Sequence, residues 1–125
     1  MEICRLEANE FQGSARWDGE AVRVTLTGTA DLTTRHGLRL LLQDVRAATR
    51  ISRPREAILD LRGVRFMNSS CIATLLGWTN AVANDDRGNQ YTIRILWDPD
   101  VGWERRSLSA IAAVAAGVIQ LDPCL

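Results

Sequence analysis

The most informative feature of this chain is a pair of adjacent serines, Ser69 and Ser70, at the predicted start of a helix. The segment Leu59–Leu61 predicts a buried strand, and a short polar turn leads from it to the serines. A hydroxyl at a helix start lies beside unpaired backbone N–H groups and the positive end of the helix dipole. That environment favours a bound anion, so the spacing predicts a place where a phosphate is held.

Composition predicts one globular domain that spans residues 1–125. Apolar residues make up 46% of the chain, and the fifteen basic side chains are balanced by fifteen acidic ones, which argues against a nucleic-acid binder. The N-terminus lacks an apolar signal region, and the longest apolar run, Ala110–Ile119, is far shorter than the ~20 residues of a membrane helix. We therefore expect a cytoplasmic protein without direct membrane insertion.

The residues that usually carry catalysis or bind metals are sparse and scattered. Cys4, Cys71 and Cys124 are widely spaced and contain no CxxC pattern, which predicts free thiols in a reducing compartment and no zinc site. The sequence contains no phosphate-cradling glycine motif, and no two carboxylates stand out as an acid and a base. We expect neither an enzyme nor a cofactor.

Hydrophobic periodicity predicts strands first and then alternating helices and strands. The predicted strands are Ile3–Ala8, Phe11–Trp17, Ala21–Thr27 (closed by Gly28), Ala57–Leu61, Tyr91–Trp97 and Val118–Leu121. The predicted helices cover Thr33–Ala48, the segment from the serines to about Asp85, and a segment around Leu108 and Ile111. This order predicts an α/β fold with a small mixed sheet and helices mainly on one face.

Five short segments follow one another in this order: Gly28-Thr29-Ala30-Asp31 before the first helix, Leu59-Asp60-Leu61, the apolar pair Phe66-Met67, Asn68-Ser69-Ser70-Cys71, and Leu75-Leu76-Gly77. Together they resemble the STAS domain family, the bacterial anti-sigma factor antagonists. The family pattern at the serines is Asp-Ser-Ser-Gly, so this chain departs from it at Asn68 and Cys71. The resemblance implies a STAS-like fold.

The resemblance also implies a function in partner switching. Ser69 matches the family's phosphoacceptor, and Ser70 is the second candidate. The implied partners are an ATP-dependent serine kinase that is itself an anti-sigma factor, and a phosphatase of the PP2C type that resets the protein. The predicted partner-binding residues are Asp31, Asn68, Ser69, Ser70, Cys71 and Trp78; Trp78 falls off the apolar stripe of its helix, which predicts that it is exposed.

Each of these residues also has a purely structural interpretation. Ser69 is then the N-cap of its helix, Asp31 caps the preceding one, and Cys71 is a small, half-buried core residue. Two further functions stay open: a constitutive, unphosphorylated subunit of a larger assembly, such as a lipid-transport ATPase complex or a signalling scaffold, and a thiol- or ligand-sensing module centred on Cys71.

Overall fold

Strands and helices alternate along most of this computed structural model, which describes residues 1–114 and 117–124. The strands of the described part are β1 (Glu2–Glu7), β2 (Phe11–Trp17), β3 (Ala21–Ala30), β4 (Glu56–Met67), β5 (Thr92–Trp97) and β6 (Ile119–Pro123). Its α-helices are α1 (Arg35–Ser52), α2 (Ser69–Ala83) and α3 (Gly102–Val114), and short 3₁₀ helices cover Leu32–Thr34 and Arg87–Asn89.

The strands form one mixed sheet in which spatial order follows chain order, from β1 to β6. The pairs β1–β2 and β2–β3 are antiparallel, whereas β3–β4, β4–β5 and β5–β6 are parallel. The three parallel crossovers contain α1, α2 and α3, and they all advance in the same direction across the sheet. Since such crossovers are right-handed, the three helices lie on one face of the sheet. The predicted mixed sheet with helices on one face is confirmed.

The core lies between this face and the helices. Alternate residues of β2 and β3, among them Phe11, Val24 and Leu26, are fully buried. From α1, Leu38 and Val45 are fully buried as well, as the helical spacing of its leucines predicts. Burying a side chain of this size stabilises the fold by roughly 1.5–3 kcal/mol, so this packing holds β3 and α1 in a fixed relation.

Two predicted strand ends are wrong, and both lie where the sheet is irregular. β3 continues past Gly28 to Ala30, because Gly28 adopts a φ of +98° that lets the strand shift register and continue. β4 continues through the predicted polar turn to Met67, and it pairs with β3 over this whole extension. The pairing brings the ends of β3 and β4 together at one edge of the sheet.

The first helix is also longer than predicted. It runs from Arg35 to Ser52 after a 3₁₀ turn, four residues beyond the predicted end at Ala48. Arg53 ends it in a left-handed conformation, with φ of +48°, and donates its backbone N–H to the carbonyl of Thr49. Pro54 follows, and a proline cannot continue the helix.

Candidate functional site: the serine turn and the end of β3

The serine turn and the segment after β3 lie side by side at the carboxyl edge of the sheet. Ala30 is paired with Met67 in the β3–β4 register. The backbone N–H of Asn68 then donates to the carbonyl oxygen of Ala30 at 2.9 Å. The structure therefore brings together Asp31 and the first turn of α2.

Asn68, and not Ser69, is the N-cap of α2. Its Oδ1 atom accepts a hydrogen bond from the backbone N–H of Cys71 at 2.9 Å, and its backbone is extended. The structural interpretation of Ser69 as the cap is therefore wrong, because the preceding residue takes that role. Ser69 is the first helical residue and is exposed, whereas Ser70 is half-buried. The Ser69 hydroxyl makes no side-chain hydrogen bond to the described residues, and the residue is exposed at the surface.

Asp31 caps the 3₁₀ turn that leads into α1, as predicted for its structural interpretation. Its Oδ1 atom accepts from the backbone N–H of Thr33 at 2.9 Å and from the hydroxyl of Thr33 at 2.6 Å. These hydrogen bonds to Thr33 lower the pKa of the Asp31 carboxyl below its ordinary value. Asp31 is exposed, so it presents a carboxylate beside the serine turn at neutral pH.

Cys71 is fully buried and connects the two segments. Its Sγ atom lies 3.3 Å from the carbonyl oxygen of Asp31 and 3.7 Å from the hydroxyl of Thr34. Burial raises the pKa of the Cys71 thiol above its ordinary value. A buried thiol with a raised pKa is a poor nucleophile, so this geometry favours the structural role of Cys71 over a thiol sensor.

Trp78 is not exposed, and the prediction of its exposure is wrong. Only 4% of its surface is accessible. The helix α2 contacts both α1 and α3, so its buried face is broader than a single apolar stripe and includes Trp78. Trp78 is nine residues beyond Ser69, about 13 Å along the helix axis, and it does not join the serine turn.

Two exposed apolar side chains at this edge were not predicted. Leu32 is 65% exposed and follows Asp31 directly, and Phe66 is 50% exposed and is paired with Thr29 at the end of β3. No period-two pattern in the sequence signals Phe66, because Arg65 and Phe66 are both exposed between the buried Val64 and Met67 and the pairing register shifts there. Leu32 and Phe66 together give this edge of the sheet an exposed apolar surface, and the accessible hydroxyl of Ser69 lies at the same edge.

Within residues 1–114 and 117–124, no cluster of His, Cys, Asp or Glu side chains is arranged to hold a metal ion. None of the helices described is both long enough and apolar enough to span a membrane.

The strands lie in chain order, the α-helices lie on one face of the sheet, and Asn68 caps the serine turn. These features are those of a STAS-like α/β fold. The chain is similar in structure to the crystal structure of an anti-sigma factor antagonist from Mycobacterium paratuberculosis, with a TM-score of 0.69. The match covers 96% of this chain and 92% of that chain at 16% sequence identity. No protein-family model matches the sequence, and no curated protein matches it. The predicted STAS-like fold is confirmed.

Proposed function

We propose that this protein is a STAS-type anti-sigma factor antagonist, a non-enzymatic cytoplasmic signalling protein whose binding to a partner is controlled by phosphorylation of Ser69. The partner is an ATP-dependent serine kinase that is itself an anti-sigma factor, and a phosphatase of the PP2C type removes the phosphate. The observation that carries the proposal is the exposed Ser69 at the first position of α2, with its cap supplied by Asn68.

The position of Ser69 suits a reversible charge switch. A kinase reaches its hydroxyl without unfolding the helix, because capping does not depend on it. A phosphate adds a charge of about −1.5 to −2 at neutral pH. The positive end of the helix stabilises such an exposed anion by roughly 0.3–1 kcal/mol, so the modified protein stays folded.

The surface around Ser69 supports the proposal that this charge controls binding. Leu32 and Phe66 expose apolar area at the same edge, and Asp31 adds a carboxylate. A partner that packs apolar groups over this edge binds the unmodified serine and is repelled by a phosphate, since a buried charge without a counterion is strongly unfavourable. The unphosphorylated form therefore binds the kinase and frees the kinase's other client.

The test is the intact mass of the protein purified from its native host under phosphatase inhibition. Ser69→Ala and Ser70→Ala are measured in parallel as matched variants. We expect one phosphate on the wild type and on Ser70→Ala, and none on Ser69→Ala. A phosphate that is lost only in Ser70→Ala would identify Ser70, the second candidate, as the acceptor. An unmodified protein during growth and stress overturns the proposal and favours a constitutive subunit.

A further inference from the structure

The helix α2 contains no charged residue along its whole length, from Ser69 to Ala83. Its most exposed positions are occupied by Ser69, Ala73 and Gly77. An exposed helix face of a soluble protein is normally covered by charged and polar side chains. An uncharged face built from small side chains permits another surface to approach closely.

A groove of about 280 Å³ lies between α1 and α2, on the side of this face. It is lined by Leu42 of α1 and by Gly77, Trp78 and Ala81 of α2, and we call it the α1–α2 groove. Leu42 and Trp78 are 3% and 4% exposed, so they form its apolar floor. A Cβ atom added at Gly77 would have no neighbour within 4 Å, which shows that the space beside this residue is open.

Two arginines of α1, Arg39 and Arg46, form the rim of the α1–α2 groove. Arg46 is neutralised by Asp85, whose carboxylate lies 3.0 Å away. Arg39 instead contacts the imidazole of His36 at 3.1 Å, and within the described part of the chain no carboxylate lies within ion-pair distance of it. The groove therefore places an apolar floor beside a cation that lacks a counter-charge.

We propose that the α1–α2 groove binds a segment of the partner protein in which a leucine or aromatic side chain is followed closely by an aspartate or glutamate. The apolar side chain occupies the floor, and the carboxylate pairs with Arg39. A groove of about 280 Å³ lies at the lower end of the range for small-molecule pockets, and it has room for one or two side chains of a peptide. Buried anchors of this kind dominate the energy of protein interfaces.

This inference rests on the proposed function, since it assigns a second contact to the same partner. Gly77 is eight residues beyond Ser69, about 12 Å along the helix axis. No residue of the first turn of α2 lines the α1–α2 groove, whose lining from this helix begins at Thr74. The groove therefore contributes affinity and partner selectivity, while Ser69 supplies the switch.

The test is selection of a phage-displayed peptide library on the immobilised full-length protein, with counter-selection on Gly77→Phe. Gly77→Phe fills the groove, and Arg39→Glu reverses the charge of its rim. The matched controls are Ala110→Phe and Arg106→Glu, both at exposed positions of α3. We expect the selected peptides to combine an apolar residue with a nearby acidic one. Their Kd should rise at least about tenfold, or 1.4 kcal/mol, in Gly77→Phe and Arg39→Glu, and stay unchanged in both controls.

Selection of basic or uncharged peptides, equal losses in Ala110→Phe, or no peptide that depends on Gly77 overturns the inference. Arg39→Glu gives an answer even where Gly77→Phe disturbs folding, because Arg39 is exposed. The peptides are also titrated against Ser69→Glu, for which we expect an unchanged Kd. An absent phosphate on Ser69 would overturn the proposed function while leaving this peptide result standing, so the two failures are distinguishable.

Discussion

The Sγ atom of Cys71, in the first turn of α2, lies 3.3 Å from the backbone carbonyl oxygen of Asp31, just after β3. The same oxygen accepts from the hydroxyl of Thr34 at 2.7 Å and from its backbone N–H at 3.1 Å. One carbonyl group thus joins the start of α1 to the start of α2. Cys71 therefore links the two loops of the proposed docking surface through its side chain.

Replacement of Cys71 by alanine should therefore destabilise the fold. The loss of buried sulfur and its contact with the Asp31 carbonyl is expected to lower the free energy of unfolding by about 1–2 kcal/mol. Urea denaturation measures this, with Cys124→Ala as the control because Cys124 is only half-buried. In the folded wild type, Cys71 should also react with a thiol reagent only as fast as the protein unfolds. Rapid, selective modification of Cys71 would contradict its burial and support the thiol-sensor alternative.

Asn68 should respond to substitution as an N-cap does. Asn68→Ala removes the acceptor for the Cys71 N–H and should cost about 1 kcal/mol. Asn68→Asp restores the residue of the STAS pattern and should stabilise the protein by roughly 0.3–1 kcal/mol at neutral pH, because the carboxylate interacts with the helix dipole. Acidification that protonates this carboxylate should remove the gain.

The matched control for the added charge is Asn84→Asp, at the C-cap of the same helix. A carboxylate there opposes the dipole, and the Asn84 amide also donates to the carbonyl of Asn80 at 2.9 Å. In thermal unfolding, Asn68→Asp should raise the melting temperature and Asn84→Asp should lower it. A loss of stability in Asn68→Asp would mean that a neutral side chain stabilises this N-cap position better than a carboxylate does.

Most of the sheet can be predicted from this sequence because segments such as Ala21–Thr27 alternate apolar and polar side chains. The second half of β4 was predicted as a turn for a physical reason. β4 pairs with β5 only from Glu56 to Asp60, so the residues from Arg62 to Phe66 have a strand neighbour on one side alone. A half-exposed strand accepts polar side chains and glycine, and its composition then resembles that of a turn.

The candidate site could be predicted in part. Ser69 and Asp31 follow from local patterns, since each lies next to a helix start. The burial of Trp78 does not follow from a local pattern. A helix that packs against two neighbouring helices buries more than one stripe of its surface, and the number of neighbours is set by the tertiary fold. The groove beside Trp78 depends in the same way on two helices that are distant in sequence.

Gly28 should be the least replaceable glycine near the site. A Cβ atom at Gly28 would lie 1.9 Å from the carbonyl oxygen of Glu10, the group that accepts from the Thr29 N–H at 2.7 Å. Gly28→Ala therefore adds a backbone clash to the strain of a positive φ, and should cost at least roughly 3 kcal/mol. Gly19→Ala is the matched control, because Gly19 has a φ of +100° but open space around it. It should cost only about 1 kcal/mol. Equal losses of unfolding free energy in Gly28→Ala and Gly19→Ala, measured by urea denaturation, would show that backbone strain alone accounts for the need for glycine.

Glu104 should make the stability of the protein fall as pH rises through the weakly acidic range. Its side chain is fully buried, and neither carboxyl oxygen has a hydrogen-bond partner among the described residues. Burial, followed by the charges of Asp98 and Asp60, raises the pKa of Glu104 from 4.5 to about 7. Between these two values the folded state retains a proton that the unfolded state has lost, so the free energy of unfolding decreases with pH and levels off above pH 7.

The decrease should amount to roughly 3.5 kcal/mol, since the pKa rises from 4.5 to about 7 and each tenfold change in proton affinity corresponds to about 1.4 kcal/mol. Glu104→Gln cannot ionise, so its unfolding free energy should be flat between pH 4.5 and 7 and exceed that of the wild type above pH 7. Glu7→Gln, at an exposed position of β1, is the control and should follow the wild-type curve. Urea denaturation across this range measures all three proteins. Parallel curves for the wild type and Glu104→Gln would mean that Glu104 ionises in the folded protein as easily as in the unfolded chain, and that its surroundings rearrange to solvate the charge.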